Sequence, residues 1–412
     1  MAKSRWLRWV AIAIVVALLS IGVHRCLSGP DLSEIDPGEE IEAELTLQTV
    51  TLEQPDENGD LMWRIKAQSV NYRPDDQKAN LSNIEGEFFQ DGDIVYTVTA
   101  NEGEVQQNGE TLFLRGDLIA NSKADELTIE GEQLKWQPKS DLLVMGNFDE
   151  KVTAQPFEDE TPSAVKLPSE TDKVPVHGFN PQMEAFAEVA QVSSKENRVE
   201  LTGGVLAKSK ESPWLTFESE ALLWLTKNQV IEAKRPLKVE QYNSEAYQKV
   251  TDRLIGQKGQ VALANNIVTL SESVKLDSLT QPLKVNSERA VWDIPSQQVS
   301  LDKPVEIEQP EDKIRASANS AQLNLAEKIV YLIGNVKATG EKNNARLSAD
   351  TVTWQTATQQ IEAEGNVSYQ QAESPEFSMT GPYAVGNIEA GTIVVTGGET
   401  GEVVTEIVPE NP

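Results

Sequence analysis

The side chains that could do covalent or redox chemistry are few in kind. The 412 residues include one cysteine, Cys26, and two histidines, His24 and His177, against 65 aspartates and glutamates. A disulfide framework or a Cys/His metal cluster needs several such ligands converging, so both are excluded. His24 abuts an apolar N-terminal segment and His177 falls in a proline-rich stretch, which leaves neither a role as a base. Cys26 beside the apolar segment reads as incidental rather than reactive. Paired carboxylates are the one catalytic option left, as general acid and base. The acid or amide, however, recurs at a fixed place in a repeated pattern, as in Glu288, Asn319 and Asp350. A single acid–base pair is not placed by repetition over many units, so no catalytic site, cofactor or metal is expected.

The chemistry that remains is the burial of hydrocarbon. A row of apolar and aromatic side chains on one face of a partly open sheet forms a trough for acyl chains, each buried methylene contributing about 0.8 kcal/mol without specific hydrogen bonds. The inward candidates are Ile65, Tyr72, Val98, Val105, Ile129, Trp136, Phe217, Trp224, Val285, Trp292, Leu347 and Trp354. Taken singly, each is as well explained by a closed core, and the claim concerns the row.

The elements that hold such a row are strands. Residues 345–367 read ARLSADTVTWQTATQQIEAEGNV, with Leu347, Ala349, Asp350, Val352 and Trp354 followed, after a polar hexapeptide, by Ile361, Ala363, Gly365 and Val367. The frame is a small residue, an acid or amide, an apolar residue two further on and an aromatic or apolar anchor two beyond that. It recurs with anchors at Val105, Trp136, Val192, Trp224, Trp292, Leu323 and Trp354, while Tyr72, Leu263 and Val385 mark imperfect copies. The periodicity is 2 with one change of parity near the acid, which predicts a bulge or corner there, with the polar side chain bonding neighbouring backbone groups. Polar turns between strands predict hairpins, and units that each bury one face must stack. The expectation is an elongated all-β body, a β-jellyroll of two-strand units, with residues 40–150 as one domain and 183–405 as a second. The span 151–182, with Pro156, Pro162, Pro168, Pro175 and Pro181, reads as a linker or large surface loop.

The first 25 residues differ from the rest. Lys3, Arg5 and Arg8 precede an apolar run from Trp9 to Val23, which predicts a transmembrane anchor over residues 6–25 with the N-terminus cytoplasmic. A cleaved signal peptide, with Ser20-Ile21-Gly22 at its end, is the competing reading. His24 and Arg25 stand where a lipoprotein signal carries small residues, which argues against lipidation of Cys26. A formal charge of −29 repels phosphate backbones and excludes nucleic acid as a partner.

The anchor, the first β segment Leu61-Met62-Trp63-Arg64-Ile65-Lys66-Ala67 with Val70 and Tyr72, and the endings Gly116-Asp117-Leu118 and Gly146-Asn147-Phe148 resemble the lipopolysaccharide-transport protein C (LptC) family over residues 5–150. The later units, with Gly334-Asn335-Val336 and Gly365-Asn366-Val367, look like LptA and the related organic-solvent-tolerance (OstA) domains over 183–400. The resemblance implies an inner-membrane protein with a periplasmic open β-jellyroll that takes lipopolysaccharide from an ABC transporter's permease subunits and passes it along a trough. It also implies edge-strand pairing with an LptA-like bridge protein, although the length of this chain leaves room for it to carry that role itself. Against this conduit stands a membrane-anchored structural or adhesive β-repeat scaffold without lipid cargo.

Overall fold

Alternating apolar and polar residues dictate strands, and strands with one apolar face must cover it. The computed structural model describes residues 45–147 and 175–408, apart from short segments at some turns and residue 148–174, and these belong to one 28-stranded antiparallel sheet. The expected all-β jellyroll is thus what the chain forms. The transmembrane anchor expected over 6–25 lies outside the described residues, as do Phe148 and most of the proline-rich stretch. Among the described residues no helix is long and apolar enough to cross a membrane.

Each position in the sheet is a strand bent in the middle. Ile329–Gly340, Ala345–Gln355 and Gln360–Gln371 pass through the bend unbroken. Elsewhere the strand is interrupted there, as where Gln298–Leu301 and Val305–Gln309 pair with the two halves of Leu283–Asp293. The two sets of halves make two walls that face each other across an apolar interior. Phe88 of one wall and Trp136 of the other meet edge to face, 4.5 Å between ring centroids.

The bend is where parity changes, and its construction explains the recurring Gly-Asn. Gly334 and Asn335 have φ of 80° and 49°, and Gly365 and Asn366 have 73° and 48°. Two successive left-handed residues are a bulge that turns the strand without losing a face, and Gly and Asn are the residues that tolerate it. Pairing steps from Ile333↔Thr351 to Val336↔Ala349, so Asp350 alone stands opposite the two. A Cβ on Gly365 would collide with the Asp350 carboxylate. The expected bond from backbone to this acid is made at Glu288, which accepts from Ser273 N–H at 3.4 Å, while elsewhere the position is bonded by side chains: Asn366 Nδ2 donates to Asp350 Oδ2 at 2.8 Å, and Asn101 Nδ2 to Asp117 Oδ2 at 2.9 Å. In the first bond the left-handed Asn366 donates to the acid of the neighbouring strand, and in the second the left-handed Asp117 accepts from the amide there.

Strands on either side of 148–174 are hydrogen-bonded to each other. Leu127–Gln137 pairs through one half with Leu142–Gly146 and through the other with Val176–Phe179, and these continue onto Val189–Ser193 and Met183–Ala187. Val176–Phe179, within the span expected as linker, is therefore a strand. The buried side chains nevertheless form two clusters, one from Trp63 to Ala190 and one from Ala187 to Ala384, with Leu201 packed against both.

Candidate functional site

Cross-strand register sorts the twelve expected trough residues into two rows of six. In the first wall Ile65 pairs with Gly86, Gly86 with Val98, Val98 with Ala120 and Ala120 with Ile129. The line continues through Gly178, Ala185 and Ala207 to Phe217, then through Val239, Leu254 and Leu276 to Val285. Ile307, Ala316 and Ala338 carry it to Leu347 and Tyr369. In the second wall Tyr72, Val105, Trp136, Val192, Trp224, Trp292, Leu323 and Trp354 lie in one such line, joined by Ala79, Leu112, Leu143, Val199, Ile231, Val261, Val268, Val299 and Val330. Residues directly opposite on paired strands share a face, so each line is a physical row.

Burial along the rows is uneven. Ile65, Val98, Val285 and Trp292 are fully enclosed and Trp354 is nearly so, while Val105, Ile129, Phe217 and Leu347 are buried near the limit of the core. Trp136 and Trp224 are half-buried. Tyr72, at the outer end of its strand, is 36% exposed. Two of the expected copies are out of register. Leu263 follows the end of Lys258–Ala262, where Val261 occupies the row, and Val385 points outward between Ala384 and Gly386, because side chains alternate along a strand.

Space is left between the walls at the C-terminal end. A cavity of about 140 Å³ is bounded by Ala316, Ala338, Leu347 and Tyr369 of one wall and by Val352, Trp354, Ile361 and Ile393 of the other. It reaches the hairpin tips, where Gly340, Ala345 and Arg346 stand on one lip and Asn387, Ile388 and Gly391 on the opposite lip. The first row explains its position. Around Trp292 that row reads Leu276, Val285, Ile307, whereas toward Trp354 it reads Ala316, Ala338, Leu347, and alanines opposite a tryptophan leave a void. A lesser gap of about 30 Å³ lies by Ala207 and Phe217. Such a site is mainly hydrocarbon in lining, with the polar side chains Asp312, Arg346, Tyr369, Asn387 and Thr392 also on its wall. The Nε1 atoms of Trp63, Trp224, Trp292 and Trp354 are buried without a hydrogen-bond partner among the protein's own groups.

Charged groups sit on the outer faces. Glu240, buried on the outside of the first wall, accepts hydrogen bonds from Arg253 Nε at 2.6 Å and Tyr242 OH at 2.9 Å, with Lys238 Nζ 3.7 Å away. Burial works to raise its pKa, but the bonds from Arg253 and Tyr242 and the Lys238 charge outweigh it and hold the carboxyl below its ordinary value. Burial, then the Glu240 acceptor, pushes the Tyr242 phenol up to about 12. His177, expected in a linker, is instead in a strand. It stacks on Phe186 at 4.5 Å, with Nδ1 3.3 Å from Glu130 and Nε2 3.7 Å from Glu184. Among the described residues no group of three or more His, Cys, Asp or Glu could hold a metal ion.

The sheet ends in strands that each have one free edge. Among the described residues, Leu45–Pro55 pairs only with Leu61–Arg73, and Thr392–Thr396 and Val404–Val408 pair only with Glu376–Asn387. Exposed apolar side chains gather there: Leu47 at the first edge, Val394 and Val404 at the last.

Comparison with curated proteins gives no match. Among solved structures, LptH from Pseudomonas aeruginosa, described as the LptA homologous periplasmic component of a lipopolysaccharide transport device, is 17% identical over 27% of this chain and 76% of that one, with a TM-score of 0.23. The family model for lipopolysaccharide-assembly, LptC-related proteins matches residues 10–144 and 309–400, more than half of the chain, and its second segment falls on the units that resemble LptA in sequence. With the matched segments at both ends of one jellyroll sheet, the chain belongs to the lipopolysaccharide-assembly, LptC-related family, and its role lies in lipopolysaccharide transport.

Proposed function

We propose that this protein is an anchored periplasmic conduit. The segment from Trp9 to Val23 holds it in the inner membrane, the ABC transporter's permease subunits load it, and acyl chains of lipopolysaccharide ride between the two walls. The observation that carries this reading is the pair of interior rows that runs through every strand position of both repeat blocks, so that whatever enters at one end meets the same apolar surface to the other. The free edges, with Leu47 at one and Val394 and Val404 at the other, suit strand-to-strand pairing with the transporter's periplasmic parts and with an LptA-like bridge protein. No enzymatic step is required of it.

The closed packing around Trp292 favours a second reading, an anchored scaffold without cargo, because acyl chains pass that region only if the walls part. Photocrosslinking in living cells separates the two. A photoreactive residue replacing half-buried Trp136 or cavity-lining Tyr369 is expected to give ATP-dependent lipopolysaccharide adducts, with none from outward-facing Lys275. Protein adducts alone at the two interior positions would leave the scaffold as the better account.

A further inference from the structure

The outer face of the first wall changes character at the seam between the two blocks. Its outward row runs Ile119, Glu130, His177, Phe186 and Leu206 there, whereas farther along the same row reads Lys275, Asn286, Glu306, Ser317, Lys337 and Ser348. Toward the hairpin tips the Phe179 ring lies 5.0 Å from that of His177, and the Tyr247 ring stands 5.1 Å from Tyr242 and 6.3 Å from Trp214. These aromatic side chains are part-exposed on a face the core does not use, and cations accompany them: Lys210 sits over Phe179 and Lys208 over Tyr247. At the bend the strip opens into a hollow of about 340 Å³ between Ile119, Pro175 and His177, lined also by Asp117, Glu130 and Glu132.

Residues 148–174, which lie outside the described residues, leave the sheet after Asn147 and return to it at Pro175, on the lip of that hollow and two residues before His177. Their sequence carries Pro156, Pro162 and Pro168, the acids Glu158, Asp159 and Glu160, and Lys173 next to the point of return. We propose that the outer strip is the docking surface for this proline-rich segment of the same chain. Aromatic faces suit such a segment, because proline-rich chain packs on them with little conformational entropy left to lose. The charges match in order: Lys173 meets the acids of the hollow, while Glu158, Asp159 and Glu160, farther from the point of return, meet Lys208 and Lys210. The lengths match as well. From Leu127–Gln137 to Leu237–Tyr242 the strip crosses five strand spacings, about 24 Å, so a path out and back takes about 50 Å. The 27 residues, at about 3.1 Å each, extend on the order of 80 Å. Docking covers an apolar patch on an otherwise polar face and ties the two blocks together across their seam, with or without lipid between the walls.

The test places p-benzoylphenylalanine in the full chain in living cells, at Trp214 near one end of the strip or at Ile119 at the other, with outward-facing Lys275 beyond the strip as the control. Crosslinked peptides from the monomer band are identified by mass spectrometry after illumination. Position 214 is expected to capture residues 156–164 of its own chain and position 119 residues 165–174, with neither captured from position 275. Lys208→Glu together with Lys210→Glu should lower the adduct at 214 by about threefold, the worth of two exposed ion pairs. Adding Glu158→Lys, Asp159→Lys and Glu160→Lys to that chain should restore it. Adducts at 214 and 119 that lead to a second copy or to another protein, or that miss residues 148–174, overturn the proposal, and so does an adduct at 214 that the lysine reversals leave unchanged. Lipopolysaccharide capture at position 136 is read separately in the same cells, so the conduit stands or falls on its own result.

Discussion

The same two rows behave differently in two regions. Between residues 254 and 307 the first wall sets Leu254, Leu276, Val285 and Ile307 against the second, and Trp292 is 0% exposed. Between 312 and 393 it sets Ala316 and Ala338 at the corresponding steps, and Trp354 borders a cavity. Their outer faces differ in the same sense: the middle carries Glu240 buried among Arg253, Lys238 and Tyr242, while the C-terminal end carries the exposed pair Lys313 and Glu341. The family match resumes at residue 309, where the packing loosens, and omits the tight middle. One backbone plan therefore carries two kinds of packing, and the choice is made by side-chain volume at a few positions in the first row.

The comparison is broken most directly at its two tryptophans. Trp292→Ala should lower stability by about 3–5 kcal/mol and Trp354→Ala by about 2–3, since space already lies beside the latter. Urea unfolding measures both, and equal losses would mean that the two regions are packed alike. Next in size is Glu240→Ala, which removes the partner of the part-exposed Arg253 while Lys238 keeps Glu218 at 2.7 Å, and should cost about 1.5–3 kcal/mol. Its sign in pH follows from its depressed pKa: the stabilisation is complete above the ordinary carboxylate value and is lost as pH falls through the folded-state value. Acid unfolding of Glu240→Gln should accordingly be less steep than that of the wild type. The exposed counterpart Glu341→Gln should leave the urea midpoint where it was. Ala338→Leu should stay within about 1–2 kcal/mol of the wild type in either direction. It fills the cavity, so lipopolysaccharide adducts at Tyr369 should disappear in the crosslinking assay, and persistence of those adducts would place the lipid elsewhere.

Much of this was legible in the sequence because the repeat frame is a register. Anchors chosen by pattern, from Tyr72 through Trp136 to Trp354, fall in one row since the frame counts residues from the bend. It misled where the anchor is small. Gly256, Gln257, Gly259 and Val261 sit at the frame's spacing, and Gly386 occupies the row at the last copy although Pro382 stands where the frame has an acid or amide, so the bulkier Leu263 and Val385 were the more visible residues. His177 was hidden because Val176–Phe179 is four residues long between prolines, too short for alternation to register. The cavity could not be read at all: Ala316 and Ala338 look like any small residue of the repeat until the walls are brought face to face. The Gly-Asn pairs were visible as a signature, but their reason, two successive left-handed residues opposite one acid, belongs to the folded backbone.

The pairing pattern also bears on how the chain reaches this state. Every strand half bonds only to the hairpin neighbours before and after it, so assembly can proceed outward from any unit with little loop entropy at each step. The one long closure is where Thr128 meets Phe179 and Val144 meets Gln191 across residues 148–174. As the chain emerges from its N-terminus, the first block can fold and then wait, its last strand unpaired, for that closure. The seam with the two cores on either side is the place where synthesis, rather than equilibrium stability, is expected to leave an open strand edge for the longest time.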